Sequence, residues 1–120
     1  MAKIFFDTEF TGLHKGTTLI SIGLIAEDGT TFYGELTDYS KGQVDNWIHK
    51  NVIDKLIFKN EEPFVRIEPV LFNKSIEVKG TKKNVSEILL KWLNQFGTIE
   101  WISDVCHYDF VLLINIWSCS

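Results

Sequence analysis

Hydrophobic positions along this 120-residue chain follow two periods, and the changes between them mark out the elements. From Lys3 to Phe10 the run KIFFDTEF is rich in aromatic and branched residues and predicts a first strand. Glycines between 11 and 17 supply a turn, and the apolar run from Thr18 to Ala26 predicts a buried second strand. Asp28-Gly29 is a hairpin signal, because this pair readily takes the positive φ angles of tight turns. Thr31 to Leu36 then returns as a third strand. Three sequential strands joined this way form an antiparallel meander.

The period then lengthens. Val44, Trp47, Ile48, Val52, Ile53, Leu56 and Ile57 are spaced for a helix face. Pro63 and Pro69 break any helix between 61 and 79, a stretch in which only Ser75 to Lys79 suggests a short strand. A second helix is predicted from Thr81, with Val85, Ile88, Leu89, Trp92, Leu93 and Phe96 on one face and Gly97 as its stop. Thr98 to Ser103 predicts a fourth strand, and His107 to Trp117 a helix that is apolar nearly all round. A strand that follows a helix normally joins the sheet parallel to an earlier strand through a right-handed crossover. The first strand is its expected neighbour.

Composition narrows the class without naming an activity. Hydrophobic residues make up 45% and charged residues 23%, as in ordinary globular proteins. No apolar run approaches the roughly 20 residues that cross a bilayer, and the amino terminus opens directly into a strand-like run. A cytoplasmic protein is expected, with Cys106 and Cys119 as free thiols. The net charge of −4 argues against a protein that grips long nucleic acids through their phosphates. It leaves room for one that holds only the end of a strand. Lys74, Lys79, Lys82, Lys83 and Lys91 form either a local basic patch or, more simply, solvated lysines around a helix.

Three acids stand where apolar residues would be cheaper. Asp7 and Glu9 are two apart on a strand, so both leave the same face, about 6–7 Å apart along the chain. Two carboxylates that close repel unless a cation or a donor lies between them. The alternative is a hydrated strand end. Asp109 begins the last predicted helix on the same stripe as Leu112, Leu113 and Ile116. A helix amino terminus offsets only about 0.3–1 kcal/mol of the cost of burying a carboxylate. A metal ion shared with Asp7 and Glu9 would offset far more; a helix cap is the simpler alternative, and Asp104 suits that role better. An all-oxygen site of this kind suits Mg²⁺ or Mn²⁺, and paired ions are a standard arrangement for phosphodiester hydrolysis.

Two segments carry a family resemblance. Asp7-Thr8-Glu9-Phe10-Thr11-Gly12-Leu13 resembles the first motif of the DEDD family of 3′–5′ exonucleases, and 103–110 (SDVCHYDF) resembles the second. The wording is most similar to a small bacterial and phage branch of 3′–5′ exoribonucleases. The resemblance implies one α/β domain over 1–120 with an RNase H-like mixed sheet: an antiparallel three-strand meander, a parallel fourth strand and helices. It implies Asp7, Glu9 and Asp109 as catalytic metal ligands for Mg²⁺ or Mn²⁺. It also implies that Thr8, Phe10, Thr11, Gly12, Leu13, His107 and Tyr108 lie at the terminal nucleotide of single-stranded RNA.

The family also carries a third motif, with a general base and a fourth Asp, after a further strand. The 120 residues end before it, so a carboxyl-terminally incomplete domain, lacking the final strand and helix, is expected. His14 and His49 stand in the wrong places to replace that base. An open edge at the fourth strand is then expected either to be buried in a homodimer or to make the protein aggregation-prone. Two other functions compete with a metal-dependent exoribonuclease: a non-catalytic nucleotide- or protein-binding remnant, and a sugar-phosphate or nucleotide hydrolase on a similar sheet.

Overall fold

The computed structural model describes residues 2–11 and 18–102. Six strands form one mixed sheet: β1 (Ala2–Phe10), β2 (Leu19–Ala26), β3 (Thr31–Leu36), β4 (Phe64–Val70), β5 (Asn73–Gly80) and β6 (Ile99–Ile102), in the order β4-β5-β3-β2-β1-β6. Among the described residues two α-helices accompany them, α1 (Asn46–Asn51) and α2 (Lys82–Leu93). This mixed α/β architecture is compatible with the expected RNase H-like fold. β1, β2 and β3 form the antiparallel meander, and β6 lies parallel to β1 with Ile4 beside Trp101.

The hairpin between β2 and β3 closes on Gly29, whose φ of 90° is one that side-chain-bearing residues avoid. Strand alternation then assigns the faces. Ile4, Phe6 and Thr8 of β1 are buried, while Lys3, Phe5, Asp7 and Glu9 point the other way and are exposed. α2 covers the buried face. Thr81 caps it by accepting the Asn84 N–H at 3.3 Å, and Val85, Leu89, Trp92 and Leu93 pack on Ile4, Phe6, Leu24 and Phe32. Phe96 lies beyond the helix end yet still packs edge-on against Trp92, with ring centroids 4.9 Å apart.

Two stretches differ from expectation. Residues 44–57 form the six-residue α1, capped by Asp45 at the Ile48 N–H, followed by a 3-10 turn at Ile53–Lys55. The β-branched pair Val52-Ile53 disfavours a longer helix here. Residues 64–80 form a full hairpin, β4 and β5, and β5 adds to β3 in parallel. Both prolines are compatible with it, since Pro63 precedes β4 and Pro69 lies on the sheet's margin.

Candidate functional site

The site grows out of the register of β1. Asp7 lies beside Gly23 of β2, which lies beside Tyr33 of β3; in the next row Glu9 lies beside Ser21, which lies beside Glu35. Period-two alternation therefore puts two carboxylates, a hydroxyl, a phenol and a third carboxylate on one face. Gly23 leaves the floor between Asp7 and Tyr33 open: a Cβ there would meet only the Tyr33 ring, at 3.9 Å.

β1 changes register where the acids end. Between Glu9 and Phe10 the pairing slips, so Phe10 faces Leu19 and Ile20 is the extra residue on β2. Leu19 consequently joins the core under α2, while Ile20 packs with Ile48 and Val52 on the acidic side. That small second cluster seats α1 and the 3-10 turn at the edge of the acidic face. The result is a cleft of about 350 Å³ with Asp7, Glu9, Ser21, Gly23 and Tyr33 on the sheet side and Asn51, Lys55, Leu56 and Ile57 opposite.

Asp7 is exposed, and its Oδ1 accepts the Thr8 N–H at 3.0 Å. Tyr33 donates its hydroxyl to Glu35 Oε2 at 2.7 Å, and the Phe58 N–H reaches the same oxygen at 3.1 Å. Glu35 is almost wholly buried, 1% exposed, and its Oε1 has no partner. Burial raises the Tyr33 phenol well above its ordinary value, reinforced by the hydrogen bond to Glu35 and by the charges of Glu35 and Glu9. The raised value keeps Tyr33 a neutral hydrogen-bond donor around neutral pH.

The other candidate contacts are placed differently from one another. Thr8, although buried, also borders the cleft beside Asp7 and Glu9, whereas Phe10 is half-buried and packs against the core under α2. Thr11 is 2% exposed, and its hydroxyl donates to Gln43 Oε1 at 2.5 Å and accepts the Thr18 N–H at 2.9 Å. Thr18 also donates to that Gln43 oxygen, at 3.0 Å, so the three side chains tie the ends of the segment 12–17 to the turn before α1. Gly12, Leu13, His107, Tyr108 and Asp109 lie outside the described residues. Among the described residues no group of three or more His, Cys, Asp or Glu side chains is placed to hold a metal ion.

Sequence reasoning found Asp7 and Glu9 but missed Tyr33, Ser21, Glu35 and the Asn51–Lys55 wall. Part of the signal was present, because the Asp28-Gly29 turn sets the β2–β3 register that aligns Ser21 with Glu35 and Gly23 with Tyr33.

What the fold and face define is a mixed α/β domain presenting paired acids on its first strand. No family model matches the chain. It is similar to a 3′–5′ exoribonuclease of Mycobacterium tuberculosis, found in two strains, with 37% identity over 54 residues. The match covers 45% of this chain and only 32% of the relative's length. No described helix is long and apolar enough to cross a membrane.

Proposed function

We propose that this chain provides the Asp7–Glu9 part of a metal-dependent site that hydrolyses single-stranded RNA from its 3′ end. The observation that carries the reading is the placement of both carboxylates at the floor of a cleft, on a strand whose alternate side chains are buried. The likeness to the mycobacterial exoribonuclease supports it and supplies the substrate class.

The donor chemistry suits Mg²⁺ or Mn²⁺, since both acids present hard oxygens to solvent. Such an ion, when bound, supplies Lewis-acid stabilisation of phosphoryl charge and a water of lowered pKa. Asp7 and Glu9 would hold the ion, with Asp7 itself positioned by its contact to the Thr8 N–H. Asp109, on the resemblance of its motif, adds a third carboxylate. Lys55 offers a positive charge on the opposite wall for a substrate phosphate, while Leu56 and Ile57 give an apolar surface for a sugar or base. Tyr33, kept protonated, fixes the floor rather than moving protons.

The test is degradation of a short 5′-labelled single-stranded RNA with Mn²⁺, against EDTA and Asp7→Ala controls. The expected outcome is a ladder that needs the metal and is lost in both controls. A second reading is binding without cleavage, because among the described residues no group of three or more His, Cys, Asp or Glu side chains is placed to hold a metal ion. Calorimetric Mn²⁺ and nucleotide binding that Asp7→Ala abolishes, with no ladder from folded protein, would establish that reading in place of the first.

A further inference from the structure

The margin of the sheet farthest from the acids carries a second organised surface. Among the described residues β4 lies at the end of the strand order and pairs with β5 alone. Its hairpin has a two-residue turn, Leu71-Phe72, so the flanking pair Val70 and Asn73 is hydrogen-bonded, and so is every second pair beyond it. Phe64, Arg66 and Glu68 therefore bond to β5, whereas Val65, Ile67 and Pro69 turn their backbone groups to the open edge. Pro69, with no N–H to give, sits on that outward parity, as a margin strand requires.

Side chains on this strand are sorted as well. Val65 and Ile67 are 51% and 57% exposed and line an apolar groove with Phe72, Ile76, Ile88 and Trp92 on the α2 side. Arg66 and Glu68 occupy the opposite face, where Arg66 pairs with Glu77 at 3.2 Å. Leu71 and Phe72 at the tip are 87% and 101% exposed, with Leu71 held at a φ of 54°. Solvent alone gives no reason for so much apolar surface beside a strand edge that no described residue pairs.

We infer that β4 is a docking edge for a second copy of this chain, paired antiparallel about a two-fold axis through Ile67. In that register the sequence Val65-Arg66-Ile67-Glu68-Pro69 complements itself on both faces. Arg66 stands opposite the partner's Glu68, and Glu68 opposite the partner's Arg66, in the close non-hydrogen-bonded pairing where opposite charges attract. On the other face Ile67 meets its own copy and Val65 meets the partner's Pro69. Backbone bonding follows the same logic: the Ile67 groups bond reciprocally, and each Val65 N–H reaches the partner's Pro69 carbonyl. The strip is short and two bonds are forgone to proline, which puts the dimer among weak, concentration-dependent interfaces.

The arrangement leaves the acidic cleft free. The two-fold runs perpendicular to the merged sheet, so both acidic faces look the same way. The two copies of β1 are nine strand spacings apart, roughly 43 Å at about 4.8 Å each. Association here needs no residue of the proposed catalytic site, so its failure and the failure of that reading are separable.

Sedimentation velocity of the full chain over a wide concentration range tests the inference. Wild type should show a concentration-dependent monomer–dimer exchange. Arg66→Glu places like charges opposite each other twice and should weaken the dimer roughly tenfold or more. The double exchange Arg66→Glu/Glu68→Arg restores complementarity and should recover it. Circular dichroism confirms that each variant is folded, and these exposed surface changes spare the core. A wild-type chain monomeric at every concentration, or a dimer indifferent to Arg66→Glu, overturns the inference. Arg66→Glu/Glu68→Arg failing to recover what Arg66→Glu lost does so too.

Discussion

The two faces of the sheet are made from the same strands by the same alternation, yet they do opposite things. Under α2, Ile4, Phe6, Leu24, Phe32 and Trp92 close into a continuous apolar core. One residue along each strand, the other face holds Asp7, Glu9, Ser21, Tyr33 and Glu35, covered at one side by a six-residue helix and otherwise left with a cleft. Stability is concentrated where packing is dense, and the face that does not need to pack is free to carry charge. β1 shows this within four residues: Phe6 and Thr8 serve the core while Asp7 and Glu9 serve the cleft.

If that division holds, damage to one face should leave the other's property alone. The largest effect is expected from Trp92→Ala. Trp92 is 1% exposed and touches Phe32 and Phe96 with its ring. Truncating it should cost about 3–5 kcal/mol, a large part of the roughly 5–15 kcal/mol that holds a typical domain together. Chemical denaturation would read the loss as a lower midpoint. A shift under about 1 kcal/mol would mean that α2 is not what anchors this face.

Asp7→Asn and Glu9→Gln should do the reverse. Each keeps size and shape while removing charge from an exposed side chain, so the denaturation midpoint should hardly move. Metal-dependent hydrolysis should fall by more than about 100-fold, the upper range for losing even an outer partner of a metal ligand. A midpoint that falls with activity would mean the acids are structural.

The sequence made the core face and the paired acids readable for the same reason: both follow from strict alternation on β1 and on the β2–β3 hairpin, pinned by Gly29. α2 was readable from its spacing and its Thr81 cap. The β4–β5 hairpin was not. Its turn falls on Leu71-Phe72, with a left-handed φ at Leu71 where glycine or asparagine is the usual signal, and its prolines suggest irregular chain. Glu35 was hidden differently. A glutamate on a strand reads as solvent-facing, and only the three-dimensional cover from Phe58 and its neighbours shows that it is buried. The second acidic motif, with Asp109, lies outside the described residues and adds nothing to this comparison.

At Glu35 a carboxylate of the acidic face is itself buried, and it sharpens the contrast. Glu35→Ala leaves the Tyr33 hydroxyl and the Phe58 N–H without their shared acceptor. The expected loss is about 1–3 kcal/mol, read from the denaturation midpoint. Glu35→Gln retains an acceptor oxygen and removes a buried charge whose second oxygen has no partner, so it should be neutral or stabilising. A Gln variant as unstable as the Ala variant would show that the charge, rather than the hydrogen bonds, holds this corner.

The smallest effect is expected at alkaline pH and follows from the same corner. Burial first, then Glu35 and Glu9, raise the Tyr33 phenol above its ordinary value of 10.0. The folded chain thus keeps a proton that the unfolded chain releases. Its contribution is fully present below about pH 10 and is lost as the pH climbs from there toward the raised folded value. Denaturation midpoints measured between about pH 8 and 11 should therefore decline at the upper end, and the decline should be shallower in Tyr33→Phe. That variant also gives up the hydrogen bond to Glu35, so its midpoint starts lower; the informative quantity is the slope. Equal slopes would mean that the Tyr33 hydroxyl is solvated in the cleft, and the acidic face would then be open down to its floor.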